Sequence, residues 1–154
     1  MNVWTPHVTV AAVIERAGRF LLIEEQDKDH QASGRTVFNQ PAGHWEPGET
    51  LIEACAREAL EESAHAFAPR AVVGVYRWRP PSSEITYLRF AFCGVVGEKE
   101  VDRTLDEGIV RTLWMTPAEI RATRERHRSP LLLRCVEDFL AGKRYPLDLI
   151  THVD

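Results

Sequence analysis

Between Thr50 and Ser63 the chain carries a pattern that a half-buried helix satisfies. At about 100° per residue, Leu51, Ile52, Cys55, Ala56, Ala59 and Leu60 fall on one half of the cylinder. Glu53, Arg57, Glu58, Glu61 and Glu62 fall on the other. Thr50 with Glu53 three positions on fits a capping box, in which each side chain satisfies a free backbone N–H of the first turn. The apolar half has to be covered, and a sheet is the natural cover.

The remaining sequence supplies one. His7 to Ile14, rich in Val with Thr and Ile, predicts a strand. Arg16-Ala17-Gly18-Arg19 predicts a turn, with Phe20 to Ile23 as the returning strand of a hairpin. Gln26 to Thr36 is polar and reads as a loop, and Val37 to Asn39 as a short extended piece. Pro69 punctuates the chain after the helix. Ala71 to Trp78 and Ile85 to Val96 read as two further strands joined by a turn around Pro80-Pro81-Ser82-Ser83, and Arg111 to Met115 as another. Thr116-Pro117 opens a helix with an N-cap and a proline at the first helical position. A last helix runs from about Pro130 to Ala141, with Gly142 as its stop. Strands and helices mix without a regular βαβ alternation. That predicts an α+β fold, an α/β/α sandwich around a central mixed sheet, and 154 residues suit one domain spanning 1–154.

Charge and cysteines narrow the function. Lys plus Arg number 19 and Asp plus Glu 23, so the formal charge is 19 − 23 = −4. An acidic chain is poorly suited to a long nucleic acid, whose binding depends on neutralising phosphates. Cys55, Cys93 and Cys135 are widely spaced and form no zinc pattern, which fits small buried hydrophobes in a reducing compartment. Val8 to Ile14 and Phe90 to Val96, the longest apolar runs, fall well short of the roughly 20 residues that span a bilayer. The N-terminus has no basic start and no apolar signal core. The expectation is a cytoplasmic protein with no membrane partner, as a monomer or homodimer.

The acidic half of the helix has two readings. Glu53–Arg57 and Arg57–Glu61 are i,i+4 pairs of a solvated face, worth only about 0.2–0.5 kcal/mol each. Glu58 and Glu62, however, are like charges four apart, with Glu61 adding to the repulsion, and both sit at the edge of the apolar half. Carboxylates clustered there suit a hard divalent cation such as Mg²⁺, which takes oxygen ligands and keeps waters for bridging to a phosphate. The preceding loop, Pro41-Ala42-Gly43-His44-Trp45-Glu46-Pro47-Gly48-Glu49, holds two glycines, and glycine lets backbone approach a ligand closely.

Taken together, the segment reads Gly43, five residues, Glu49, seven residues, Arg57-Glu58, two residues, Glu61-Glu62, with Ala59 in an aliphatic slot. This resembles the signature of the Nudix hydrolases, a loop–helix–loop motif. Two positions depart from it: Ala64 stands where the family has glycine, and His65 where it has an apolar residue. Further matches at His7-Val8-Thr9-Val10-Ala11, Asn39-Gln40-Pro41-Ala42-Gly43-His44, Leu88-Arg89-Phe90, Arg128-Ser129-Pro130-Leu131 and Arg144-Tyr145-Pro146-Leu147 resemble the NudJ-type phosphatases of that family.

The resemblance implies the Nudix fold and a Mg²⁺-dependent hydrolase, Mn²⁺ serving as a substitute. Its substrates would be small diphosphates: thiamine pyrophosphate, hydroxymethylpyrimidine pyrophosphate and nucleoside di- and triphosphates. It implies Glu58 and Glu62 as metal ligands, Glu61 next, and the Gly43 carbonyl completing the shell. It implies Glu58 as general base too, a role a loop acid fills in some members of the family, with Arg57 orienting the carboxylates and Glu49 holding the loop against the helix. A ligand from beyond the helix is expected in Asp106-Glu107-Gly108, Glu107 first and Asp106 second, against a plain solvated turn.

Substrate contacts are read from the residues. Trp45 and Trp78 are placed to stack on a ring or to pack on the surface. Arg89 is a charge in an apolar strand that needs a partner or a cleft. Asn39 and Gln40 are hydrogen-bonding groups just before the loop. The basic run between Arg121 and Arg134 reads as an exposed helix end and loop, with capture of an anionic substrate as its alternative. Two other functions share these residues: a Nudix pyrophosphatase of a nucleoside triphosphate, dinucleotide or nucleotide sugar, and a non-catalytic ligand-binding module.

Overall fold

The computed structural model describes every residue of the chain apart from Gln31. The elements are β1 (His7–Val13), β2 (Glu15–Arg16), β3 (Arg19–Gln26), β4 (Thr36–Asn39), β5 (Ala42–His44), α1 (Leu51–Ser63), β6 (His65–Trp78), β7 (Tyr87–Lys99), β8 (Ile109–Met115), α2 (Pro117–Ala122), α3 (Leu131–Leu140) and β9 (Tyr145–Pro146). One sheet has the order β5-β1-β7-β6-β9. It is mixed, because β1 and β7 run parallel, His7 beside Tyr87 through Val13 beside Cys93, while its other pairs are antiparallel. A second, antiparallel sheet is built around β3, which pairs with β2, β4 and β8.

β1 explains why helices lie on both sides. Val10, Ala12 and Ile14 join Leu51, Ala54, Cys55 and Ala59 of α1 in one cluster. The alternate residues Ala11 and Val13 join Ile120 of α2 and Leu132, Cys135 and Val136 of α3 in another. A strand buried on both faces loses the apolar–polar alternation of a half-exposed one. The sandwich read from the sequence is therefore the fold observed.

Four local readings change. The turn at Ala17 (φ 52°) and Gly18 (φ 79°) forms, but its hairpin arm is only β2, and β1 and β3 then part into different sheets. Pro69 does not separate helix from strand; it lies inside β6, where the register slips between Pro69 and Ala71, a position a proline without an N–H tolerates. The polar loop after β3 contains a 3₁₀ turn, Lys28–Ser33, whose N-cap Asp27 accepts from the Asp29 N–H at 3.1 Å. The two-residue β9 carries no periodicity and is added by pairing with Ala71 and Val72. No helix among the described residues is long and apolar enough to cross a membrane.

Candidate active site

α1 begins where its capping box predicts. Thr50 Oγ1 accepts from the Glu53 N–H at 3.0 Å, and the Glu53 carboxylate accepts from the Thr50 N–H at 3.4 Å. Ala64 ends the helix in the left-handed region (φ 60°), fully buried, and its N–H donates to the Leu60 carbonyl. The alanine thus keeps the exit shape that a glycine would take more cheaply. His65 starts β6 at once; its ring bonds the Ser63 carbonyl at 2.8 Å and meets Trp114 edge-on.

The loop before the helix is fastened by one arginine. Arg57 donates from Nε and Nη2 to the two carboxylate oxygens of Glu49, at 2.9 and 2.8 Å. Nη1 donates to Glu58 Oε1 at 2.9 Å and to Glu61 Oε2 at 3.3 Å, and Nη2 also reaches the His44 carbonyl at 3.1 Å. Glu49 in turn accepts from the Glu46 N–H at 2.9 Å. The planar fork of arginine suits this bidentate role, which lysine cannot fill. Trp45 belongs to the same fastening. Its indole N–H donates to the Glu49 carbonyl at 2.7 Å, the residue is 45% exposed, and it does not line the cleft described below.

Glu58 and Glu62 are each only about 9% exposed. Burial pushes the Glu58 carboxyl up to about 7 against the pull of Arg57, with Glu61 and Asp106 adding to the push. Burial pushes Glu62 further, to about 9, opposed by the Ala42 N–H and helped by Glu25, Glu58 and Asp106. That N–H donates to Glu62 Oε1 at 2.8 Å. Gly43 lies against Glu58: a Cβ there would occupy the space of the Glu58 carboxylate. Carboxylate oxygens of Glu58, Glu61 and Asp106 come within 4.8 Å of one another. Asp106 is tied in by its N–H, which donates to the Glu61 carbonyl at 3.1 Å, one of the carbonyls a helix end leaves free. Both loop acids are exposed, but the structure brings Asp106 to the cluster and leaves Glu107 outside it. This all-oxygen donor set, in which Glu58 and Glu62 hold their charge poorly alone, is a fit for Mg²⁺ or Mn²⁺, whose own charge favours the ionised carboxylates.

Beside this cluster is a cleft of about 360 Å³, whose wall includes Gly43, Glu62, Asn39, Arg89, Trp78 and Tyr87. Arg89 is 6% exposed and donates to Gln40 Oε1 at 3.0 Å and Asn39 Oδ1 at 3.4 Å. Gln40 anchors the group by donating to the Leu132 carbonyl at 2.8 Å. Trp78 and Tyr87 stack with centroids 6.1 Å apart at 24°, a flat apolar platform. Of the five substrate contacts proposed from sequence, Arg89, Asn39 and Trp78 are thus brought to one cleft, whereas Gln40 supports Arg89 from behind it and Trp45 lies outside it. Sequence reasoning missed Tyr87 and Glu25. Glu25 had a visible signal: like Arg89, it is a charge within an apolar strand.

The comparisons with known proteins agree with this geometry. The NUDIX domain profile matches residues 5–135. The chain is 36% identical to Phosphatase NudJ of Escherichia coli strain K12 over 145 residues, which cover 94% of this chain and 90% of that one. A NUDIX hydrolase structure from Nitrosomonas europaea superposes with a TM-score of 0.91 at 50% identity, covering 97% of this chain and 98% of that chain. The MutT protein of Methanosarcina mazei Go1 shares the fold, with a TM-score of 0.68 at 22% identity over 92% and 99% of the two chains. The chain belongs to the Nudix hydrolase family, and as an enzyme it is a hydrolase acting on phosphoric anhydride bonds.

Proposed function

We propose that the enzyme is a Mg²⁺-dependent phosphatase of small diphosphate metabolites, working in the cytoplasm on thiamine pyrophosphate, hydroxymethylpyrimidine pyrophosphate or nucleoside di- and triphosphates. The observation that carries this reading is the cleft itself. One part of its wall is Gly43 and Glu62, next to the carboxylate cluster; another is Arg89, Asn39 and the Trp78–Tyr87 platform. A diphosphate joined to a flat ring has an anionic end and an aromatic end to match. The 36% identity to Phosphatase NudJ supports the phosphatase part of this reading.

Water adds to the terminal phosphorus, the terminal P–O–P bond breaks, and the products are orthophosphate, the substrate shortened by one phosphate (a monophosphate from a diphosphate, a diphosphate from a triphosphate) and a proton. Glu58 takes the proton from the water, Arg57 fixes the direction of the Glu58 and Glu61 carboxylates, and Glu49 holds the loop that carries Gly43. Glu58, Glu62, Glu61 and Asp106 would hold the cation, with the Gly43 carbonyl beside them. When bound, it neutralises phosphate charge and lowers the pKa of water. The test is an orthophosphate-release screen with Mg²⁺ across these substrates. Orthophosphate from the diphosphates is expected. Release of pyrophosphate or a monophosphate from triphosphates would favour a pyrophosphatase instead, and ligand binding without turnover would favour a binding module.

A further inference from the structure

Glu25 is a carboxylate that the reaction above does not use. It is 7% exposed and lines the same cleft as Glu62, and among the described residues its Oε1 has no hydrogen-bond partner. A bulge brings it there. The pairing of β3 with β8 slips between Glu24 and Glu25, and bulges re-aim side chains beside active sites. Glu24 consequently engages the Thr36 hydroxyl and Arg111 Nε, both at 3.0 Å, while Glu25 goes to the cleft.

Facing Glu25 is Arg128. Its Nη1 is 3.3 Å from Glu25 Oε1, yet neither atom makes an aligned hydrogen bond. The Arg128 main chain is fixed, since its N–H donates to the Phe38 carbonyl at 2.9 Å and His127 bridges Phe38. The side chain is only loosely engaged. It also lines an adjoining cavity of about 700 Å³, together with Arg124 and Arg134. A shielded ion pair of poor geometry recovers little of its desolvation cost, whereas a guanidinium recovers much more by bidentate bonding to phosphate. Arg89, by contrast, already donates from both Nη atoms, to Gln40 and Asn39, and only its buried Nε is left without a partner among the described residues.

We infer that Arg128 is a substrate-binding residue that grips the phosphate remaining on the organic product, and that Glu25 is the counter-ion holding it ready while the cleft is empty. The inference rests on the diphosphate reading above, and it gives the two phosphates separate partners. The reacting one lies toward Glu58 and Glu62, and the retained one toward Arg128. Glu25 acts through Arg128 and is a positioning residue.

Equilibrium binding of a nucleoside monophosphate and of its uncharged nucleoside tests this on the wild type, R128A and E25Q, each checked for folding by thermal melting. Loss of a charged hydrogen-bonding group predicts about tenfold weaker monophosphate binding in R128A, with nucleoside affinity unchanged. E25Q should bind the monophosphate about threefold more weakly than the wild type, with nucleoside affinity unchanged, because Arg128 loses the partner that holds it in place. If R128A does not fold, R128Q takes its place. A loss of fivefold or more confined to the monophosphate supports the assignment to Arg128. A smaller loss, an equal loss for the nucleoside, or no monophosphate binding by the wild type overturns it. Monophosphate binding in E25Q as tight as in the wild type, or tighter, overturns the role given to Glu25. Binding needs no turnover, so failure of the phosphatase reading is seen separately, as a wild type that releases no orthophosphate.

Discussion

Replacing Glu62 with glutamine should stabilise the metal-free protein while removing its activity. The folded Glu62 carboxyl is pushed up from 4.5 to about 9. A group whose folded pKa lies above its unfolded value contributes stability that is complete below the unfolded pKa and is lost as pH rises through the folded one. For Glu62 that window runs from 4.5 to about 9. At pH 8 the unfolded chain ionises the group freely, whereas the fold must protonate it or bury its charge. At about 1.4 kcal/mol per pH unit the ceiling is about 5 kcal/mol, and relaxation and water entry reduce it to ~2 kcal/mol. Glutamine has nearly the same volume and still accepts from the Ala42 N–H, so this cost disappears with little disturbance. For a chain of this size the gain corresponds to a Tm rise of about 4–8 °C. The assay is thermal unfolding in EDTA from pH 6 to 9, paired with Mg²⁺-dependent phosphate release. Wild-type Tm should fall with pH more steeply than that of E62Q. Turnover should drop at least about a hundredfold. Adding Mg²⁺ should raise the wild type alone, because a ligand that binds only the native state stabilises it. An E62Q protein that melts below the wild type in EDTA at pH 8 would refute the reasoning.

Four further outcomes follow from particular contacts. Gly43→Ala places a methyl group in the space of the Glu58 carboxylate and should lower kcat about tenfold or more, with a Tm within a few degrees of wild type by calorimetry. Arg57→Lys keeps the charge but loses the two-pronged hold on Glu49 and the reach to Glu58 and Glu61. Its kcat should fall about tenfold or more while the fold persists in circular dichroism. Trp45→Phe removes only the bond to the Glu49 carbonyl, so kcat/KM should stay within about threefold, a neutral indole–carbonyl bond being worth roughly 1 kcal/mol or less net. A large KM change would instead return Trp45 to the substrate site. Ala17→Gly relieves a positive φ at an exposed hairpin turn and should stabilise by about 0.5–1 kcal/mol in denaturant titration.

How much of this could be read from the sequence differs from residue to residue. α1 was legible to its ends because its signals are local: a 3.6-residue period, Thr50 and Glu53 as caps, and like charges at Glu58 and Glu62 that a purely solvated face would avoid. For Arg57 and Glu49 the family resemblance implied separate roles, orienting carboxylates and holding the loop, and only the structure shows that the arginine itself pins Glu49. Partnerships across the sheets were not legible. Spacing cannot say that Glu25, rotated by a bulge, meets Arg128, or that Trp78 finds Tyr87 on the neighbouring strand. The choice between Asp106 and Glu107 likewise depends on which residue's N–H reaches the free Glu61 carbonyl, which adjacent acids in a turn do not reveal. Pro69 misled because proline is read as a breaker, and only the paired strand shows the register slip that accommodates it.

The net charge of −4 looks adverse to an anionic substrate until its distribution is considered. Buried acids gather at Glu58 and Glu62, where the proposed cation would offset them, while Arg89 and Arg128 line the adjoining cleft. The central claim, water attack on a terminal phosphoryl group held beside those acids, is tested most directly by turnover of a nucleoside diphosphate in ¹⁸O-water with Mg²⁺, read by ³¹P NMR. The predicted result is label in the orthophosphate and none in the nucleoside monophosphate. Label in the monophosphate, or no Mg²⁺-stimulated turnover, would contradict the account.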